Sequence, residues 1–247
     1  MQCHTKYFIS APGKSKTLGQ FNNIMNQKKS SLLFDFNKKP VFALGSAPGA
    51  SPPPGKKEDW EVITINGSQA SLEKLGLETT PTATIFNTSL IKTKYNVNVA
   101  ARKVLRGCRT ENLVVLSGST SFRKKLHVIF RLLMLNYRYK TLSILSTSDR
   151  ISIMEDILRM KLPEREQQPS NGIFTVLLAL HLGAERVLMS GFSLSKQGHA
   201  YNNLNFKRAH TTGDLLTLRR AVEVGLPIFT NDEEFSKESG IPLIENV

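Results

Sequence analysis

The sequence predicts an α/β fold: a mostly parallel, Rossmann-like sheet sandwiched between helices. Three observations predict it. From residue 40 onward, short apolar runs alternate with stretches of helical length. The apolar runs stop at small polar residues, as strands of such sheets do where a ligand sits beyond their carboxyl ends. The chain has 247 residues, 40% apolar and 21% charged, which suffices for one α/β domain with a sizeable core and argues against global disorder.

The elements follow in order. Residues 1–39 are weakly patterned, with seven Lys and one acid, Asp35, and read as a basic arm or irregular edge. Residues 40–247 then read as a single α/β domain, with 92–165 a variable middle or lid region. Pro40–Leu44 is a strand that ends in the tight turn Gly45–Gly49, and Pro52–Lys57 is a loop. Glu61–Ile65 is a second strand ending at Asn66, and Ser68–Leu75 a short helix. Ala83–Phe86 and Leu113–Leu116 are the next strands, ending at Asn87–Ser89 and Ser117–Thr120. Phe122–Asn136 is a basic helix, Thr141–Leu145 a strand and Ile151–Met160 a helix. Ser170–Leu182 is the clearest helix, with capping residues before an apolar run and Gly183 after it. Arg186–Met189 is a strand ending at Ser190 and Gly191. Thr211–Val224 is a helix with a capping box of Thr211 and Asp214. Pro227–Phe229 and Ile241–Ile244 complete the strands.

Composition excludes several classes. Two cysteines, Cys3 and Cys108, cannot build a disulfide scaffold or a cysteine zinc site, and suit a reducing compartment. No window reaches the roughly 18–20 apolar residues of a membrane span. The nearest, Leu126–Leu135 and Ile173–Leu182, are short and interrupted by Arg131 and His181. Met1–Tyr7 has no apolar stretch of signal-peptide type. The reading is a cytoplasmic protein, with peripheral contact to the inner membrane left open. The net charge of +13 points to anionic partners: nucleic acid, anionic lipid or an anionic small substrate.

Four constellations carry the chemistry. The small residues of Gly45–Gly49 let a backbone approach a phosphate, although the turn is neither G-x-G-x-x-G nor a P-loop. Asn66 and Asn87 stand at equivalent strand ends, where an amide can donate to a phosphate or simply serve a turn. Pro169–Gly172 opens a helix whose N-terminus suits a carboxylate or phosphate as well as ordinary capping. The stretch from Gly191 to Tyr201 with Lys207 and Arg208 supplies cations and hydrogen-bond donors for a leaving phosphate. His210, between those cations and a helix N-terminus, is expected to be neutral and able to act as a base. No metal-ligand spacing or nucleophile elbow is present, so no metal cofactor is expected. Residues 102–140 hold ten Lys and Arg and one acid, Glu111. Phe122, Phe130, Tyr137 and Tyr139 lie in that stretch, three of them at apolar spacing. A solvated basic face, or a contact with anionic lipid or glycolipid, fits it better than nucleic acid.

In order along the chain, these pieces resemble the bacterial sialyltransferases of glycosyltransferase family 42. The turn Gly45-Ser-Ala-Pro-Gly49 is similar to that family's Gly-Asn-Gly-Pro-Ser. Asn66 matches its strand-end Asn, and Asn87-Thr-Ser-Leu90 its Asn-Pro-Ser-Leu. Ser170-Asn-Gly172, Leu182-Gly183, Ser190-Gly191, Gly198-His-Ala-Tyr201 and His210 follow the family order. The resemblance spans roughly residues 40–90 and 168–245. It implies a GT-A-like nucleotide-binding domain with a lid, and an inverting, metal-independent transfer of a ulosonic acid from a CMP-activated donor to a glycan or glycolipid acceptor. It implies His210 as general base and Tyr201 as stabiliser of the departing CMP phosphate. Gly45, Ser46, Asn66, Asn87 and Ser89 would hold CMP; Ser170, Asn171 and Gly172 would hold the donor and its carboxylate; and Gly191, Ser195, Lys196 and His199 would complete the substrate site. Ser46 replaces the family's turn Asn. Ser195 stands where a second phosphate-binding Tyr belongs, with Lys196 or His199 as electrostatic substitutes. These departures leave sialic acid and Kdo both open as donors. Lipopolysaccharide or capsule synthesis would be the setting, and a homo-oligomer remains open. Two alternatives stand beside this reading: a non-catalytic basic binding protein and a pyrophosphokinase-like relative.

Overall fold

The computed structural model describes residues 32–77, 80–92, 95–162, 168–202 and 210–244. Seven strands form one sheet: β1 (Val41–Leu44), β2 (Glu61–Ile65), β3 (Ala83–Asn87), β4 (Arg109–Leu116), β5 (Arg138–Leu145), β6 (Val187–Ser190) and β7 (Ile228–Thr230). Their spatial order is β5-β4-β3-β2-β1-β6-β7, and every neighbouring pair is parallel. The chain runs outward from β1 to β5, then returns to lay β6 on the other side of β1. That reversal creates a topological switch point between β1 and β6, where α/β sheets bind ligands beyond the strand carboxyl ends.

Apolar residues on both sides of the strands explain the layers. Val41, Ala43, Ile63, Ile85, Val114 and Met189 point to one face. There they meet α4 (Thr147–Leu158), α5 (Asn171–His181) and α6 (Thr211–Glu223). Phe86, Leu113 and Val115 point to the other face, against α1 (Thr88–Lys92), α2 (Asn96–Leu105) and α3 (Phe122–Leu135). On that same face Phe42, Leu44 and Leu188 pack with Trp60 and Leu72. Parallel strands covered on both faces read as continuous apolar runs. α7 (Glu233–Ser239) closes the β7 edge and buries Phe235.

Several elements differ from the sequence expectation. The region of the predicted helix Ser68–Leu75 forms two 3-10 turns, Asn66–Ser71 and Glu73–Leu75. The Ser68 hydroxyl donates to the carbonyl of Leu44 and accepts from the N–H of Ile65, and so binds the first turn to the strand ends. α1, α2 and α7 were not expected. α2 is rich in Asn and Val, poor helix formers, and buries only Ala101 and Leu105, so packing supports it more than propensity. The predicted strand Ile241–Ile244 is reduced to a single bridge between Leu243 and Thr230. β4 and β5 extend beyond their apolar runs because their polar first halves pair with each other, from Arg109 opposite Arg138 onward. Leu32, Phe34 and Phe36 pack into the core, so the chain joins the domain before Pro40. Residues 1–31, the bulk of the basic arm expected from the sequence, lie outside the described residues. Among the described residues no helix is long and apolar enough to cross a membrane.

Candidate active site

A cavity of about 540 Å³ opens at the carboxyl ends of β1, β2, β3 and β6, at the switch point. Its floor depends on two glycines. A Cβ on Gly45 would stand 2.2 Å from the carbonyl oxygen of Gly191. Gly191 itself has φ +70°, in the left-handed region. The turns after β1 and β6 cross in contact, and the N–H of Ala47 donates to the Gly191 carbonyl at 2.7 Å. Both glycines therefore serve chain crossing first, and the cavity forms above that crossing.

The turn after β1 also grips the loop after β6. The Ala200 N–H donates to the Ser46 carbonyl at 2.8 Å, and the Ser46 hydroxyl lies 3.2 Å from His199 Nδ1. The His199 ring stacks on Tyr201, with centroids 5.1 Å apart and planes 13° apart. The Tyr201 ring in turn occupies the space a Cβ on Gly67 would need. Burial pushes the Tyr201 phenol up to about 12, so it stays protonated and able to donate.

Asn66 and Asn87 are coupled. Asn66 adopts φ 50°, and its side-chain carbonyl accepts from the Asn87 N–H at 3.2 Å. The Asn87 side-chain carbonyl accepts from the Ser89 N–H at 2.9 Å. Each amide oxygen thus shapes a strand end. Both residues line the cavity, and among the described residues their amide nitrogens have no protein acceptor. The turn role and the binding role are compatible because they use opposite ends of the same amide.

The start of α5 is the most heavily braced part of the site. Ser170 caps the helix, accepting from the Ile173 N–H. The Ser170 N–H donates to the Asp214 carboxylate at 2.6 Å. Arg150, from α4, donates to the side-chain carbonyl of Asn171 at 2.8 Å and to the carbonyl of Pro169. Three consecutive residues are thereby held by side chains from two other helices. Arg150 lies against the Phe174 ring, 5.3 Å from its centroid. Burial lowers the Arg150 pKa, and the neighbouring Asp214 carboxylate partly offsets this. Among the described residues the buried Arg150 Nε has no hydrogen-bond partner. Asn171 and Gly172 line the cavity, with first-turn N–H groups that no helical carbonyl can satisfy. Gly172 also leaves room for Phe192, whose ring would stand 3.3 Å from a Cβ there.

The cavity wall thus brings together Gly45, Ser46, Asn66, Asn87, Ser170, Asn171, Gly172, Gly191, His199 and His210. His210 occupies the N-cap position of α6, with no side-chain cap bond. The capping box expected of Thr211 and Asp214 is replaced by the bond from Asp214 to Ser170, because the carboxylate points across to α5 rather than back along its own helix. Ser89, Ser195, Lys196 and Tyr201 stand outside the wall. The Ser195 hydroxyl donates to Glu238, and Lys196 forms ion pairs with Glu234 at 2.8 Å and Asp232 at 3.5 Å. The hydrogen bond and charge of Glu234 raise the Lys196 pKa. Both side chains are thus engaged by acids at or beside α7, the helix the sequence did not reveal. Lys207 and Arg208 lie outside the described residues. Among the described residues no group of three His, Cys, Asp or Glu side chains is placed to hold a metal.

Sequence reasoning missed Arg150 and the reach of Asp214. A signal for Arg150 exists: it precedes Ile153 and Met154 by three and four residues, on the stripe that α4 turns to the core. A cation on such a stripe needs a partner inside the fold.

Sheet order, layers and switch-point cavity define a GT-A-like variant of the Rossmann fold. Solved structures share it, two of them sialyltransferases. One is the sialyltransferase CstII from Campylobacter jejuni in complex with a substrate analogue, cytidine-5'-monophosphate: TM-score 0.55 and 14% identity over 84% of this chain and 86% of that one. The other is an α-2,3-sialyltransferase from Campylobacter jejuni in apo form: TM-score 0.53 and 13% identity over 87% of this chain and 84% of that one. No family model and no curated protein matches the sequence. At these identities the likeness is one of fold.

Proposed function

We propose that the protein is an inverting, metal-independent glycosyltransferase that moves a ulosonic acid, sialic acid or Kdo, from its CMP-activated donor to a glycan or glycolipid acceptor. The observation that carries this reading is a convergence. One switch-point cavity is lined by two asparagines whose amide nitrogens have no protein acceptor among the described residues, the braced N-terminus of α5 and His210 at the N-cap of α6. A fold neighbour that was crystallised with cytidine-5'-monophosphate supports it.

In this reading Asn66 and Asn87 hold the nucleotide. The first-turn N–H groups of α5 receive the donor carboxylate or phosphate, where the helix dipole favours negative charge. Arg150 Nε, buried without a partner among the described residues, is available to the same carboxylate. His210 takes the proton of the acceptor hydroxyl as its oxygen attacks the anomeric carbon. The bond from that carbon to the CMP phosphate oxygen breaks, and CMP leaves with the electron pair. Attack on the face opposite the leaving group inverts the centre. Negative charge grows on the phosphate as the bond breaks, and fixed donors there stabilise the transition state more than the ground state. His199, hydrogen-bonded to Ser46 and stacked on Tyr201, is the cavity-lining donor of that pair; Tyr201 positions it. A monophosphate leaving group needs less neutralisation than a diphosphate, which is why the reading requires no metal.

The test is donor hydrolysis. The protein is incubated with CMP-Neu5Ac and, separately, CMP-Kdo in EDTA, and released CMP is measured. Release from one donor is expected. No release from either, together with no thermal shift by CMP, would sink the proposal. His210→Ala should lower transfer about 10²–10⁴-fold, the usual contribution of a positioned base, while CMP still binds. Retained transfer would remove His210 from the role of base.

A further inference from the structure

We propose that α3 docks the protein on an anionic lipid bilayer, lying flat in the headgroup region with its apolar arc inserted. Only Val128, Leu132 and Leu135 of this helix are buried. With about 100° between successive residues, those three share one side. Phe122, Leu126, Ile129, Phe130, Leu133 and Met134 share the other, and it faces water. Phe122 is 74% exposed, Leu133 71% and Met134 64%. A helix packed by one face on a sheet should present polar residues on the opposite face. This one presents an apolar arc broken only by Arg123 in the first turn, and arcs of that kind mark interaction sites.

Charge identifies the partner. Arg123, Lys124, Lys125 and Arg131 are exposed; Lys125 flanks the arc on one side and Lys124 and Arg131 on the other, while Arg123 stands within it in the first turn, and no Asp or Glu occurs between Phe122 and Arg138. A second copy of the chain would set these cations against their own equivalents. Residues 1–31 carry five Lys and no acid, so they too would be repelled. Nucleic acid would satisfy the cations and could stack on Phe122 and Phe130, but it would leave the larger aliphatic part of the arc, Leu126, Ile129, Leu133 and Met134, in water. An anionic bilayer satisfies both parts. Headgroups neutralise the flanks, and the acyl boundary takes the arc. The docking does not depend on the transferase reading.

The experiment is cosedimentation of the full chain with phosphatidylcholine vesicles and with mixed phosphatidylcholine–phosphatidylglycerol vesicles. Binding to the mixed vesicles alone, weakened by salt, is expected. Phe122→Ser/Phe130→Ser/Leu133→Ser should abolish it. Arg123→Gln/Lys124→Gln/Lys125→Gln should lower the partition coefficient about 100-fold, near fivefold for each cation. In Phe130→Trp, emission at the new tryptophan should shift to the blue on the mixed vesicles. Unchanged circular dichroism for each variant excludes misfolding as the cause. The proposal is overturned if the mixed vesicles leave the protein in the supernatant, if the serine variant still sediments, or if the wild type is a dimer that the serine variant dissociates.

Discussion

α3 and α5 invite comparison, because Leu126–Leu135 and Ile173–Leu182 are the two most apolar windows of the chain, the first interrupted by His127 and Arg131 and the second by His181. Their fates differ. α5 buries Ile173 through Ala179 without a break, wedged against the central strands between α4 and α6. α3 covers the outer strands β4 and β5 and buries three residues. At its start α5 is capped by Ser170 and braced by Arg150 and Asp214, whereas Ser121 before α3 makes no cap bond. Apolar content therefore records that a helix needs a nonpolar neighbour without recording which. The core supplies that neighbour to α5, while α3 keeps most of its apolar surface outward.

Truncation at the two helices should give the largest contrast. Phe174→Ala should cost about 3–5 kcal/mol, as large-to-small changes in packed cores do. Phe130→Ala should stay within about 0.5 kcal/mol, as at exposed sites. Urea unfolding of both variants measures the difference, and equal losses would break the contrast. Next in size is the brace. Asp214→Ala removes an acceptor from the Ser170 N–H and a countercharge from Arg150, for about 1.5–3 kcal/mol. On the transferase reading it should also shrink the thermal shift produced by CMP. No substitution in the first turn of α3 should do either.

A titration separates the regions by another route. Tyr201 has its pKa raised from 10.0 to about 12 by burial. A folded value above the unfolded one means that the contribution is complete below pH 10. It is then lost as pH rises from 10 through about 12, because the unfolded chain releases its proton first. The loss should be about 1–2 kcal/mol after allowance for the partial exposure of the ring. Tyr137 is also raised by burial, so the measurement is the difference between wild type and Tyr201→Phe, whose stability should fall less in alkali. α3 contains no tyrosine, so its variants should track the wild type there. The smallest effect is capping. Ser170→Ala should cost about 1 kcal/mol, while Ser121→Ala should cost only a few tenths.

Much of the site was legible locally. Asn66 and Asn87 show themselves as amides at strand ends, and Ser170–Gly172 as a cap before an apolar run, because strand ends and caps are decided by neighbours in sequence. Arg150 was legible only as a cation on an apolar stripe. Ser195 and Lys196 were read toward the substrate, yet they reach Glu238 and Glu234, on a helix whose sequence, Glu-Glu-Phe-Ser-Lys-Glu-Ser, has no strong period. Phe122 and Phe130 follow apolar spacing and are exposed, whereas Tyr137, in the same basic stretch, is buried. Spacing shows that residues share a face; it does not show where that face points.

The sequence by itself determined the fold class, the order of the seven sheet strands with the helices α3, α4, α5 and α6, and the small residues at the strand ends. These depend on periodicity and capping within a few residues, where covalent connection already limits the geometry. Only the tertiary structure decided that the chain turns back at β1 and sets β6 beside it. That reversal brings Gly45 against Gly191 and Asp214 to Ser170, contacts separated by 146 and 44 residues in sequence. It also decided which of two comparably apolar windows, Leu126–Leu135 or Ile173–Leu182, lies inside. The physical reason is the same in each case: burial is a property of neighbours in space, and the sequence names those neighbours only when they are also neighbours along the chain.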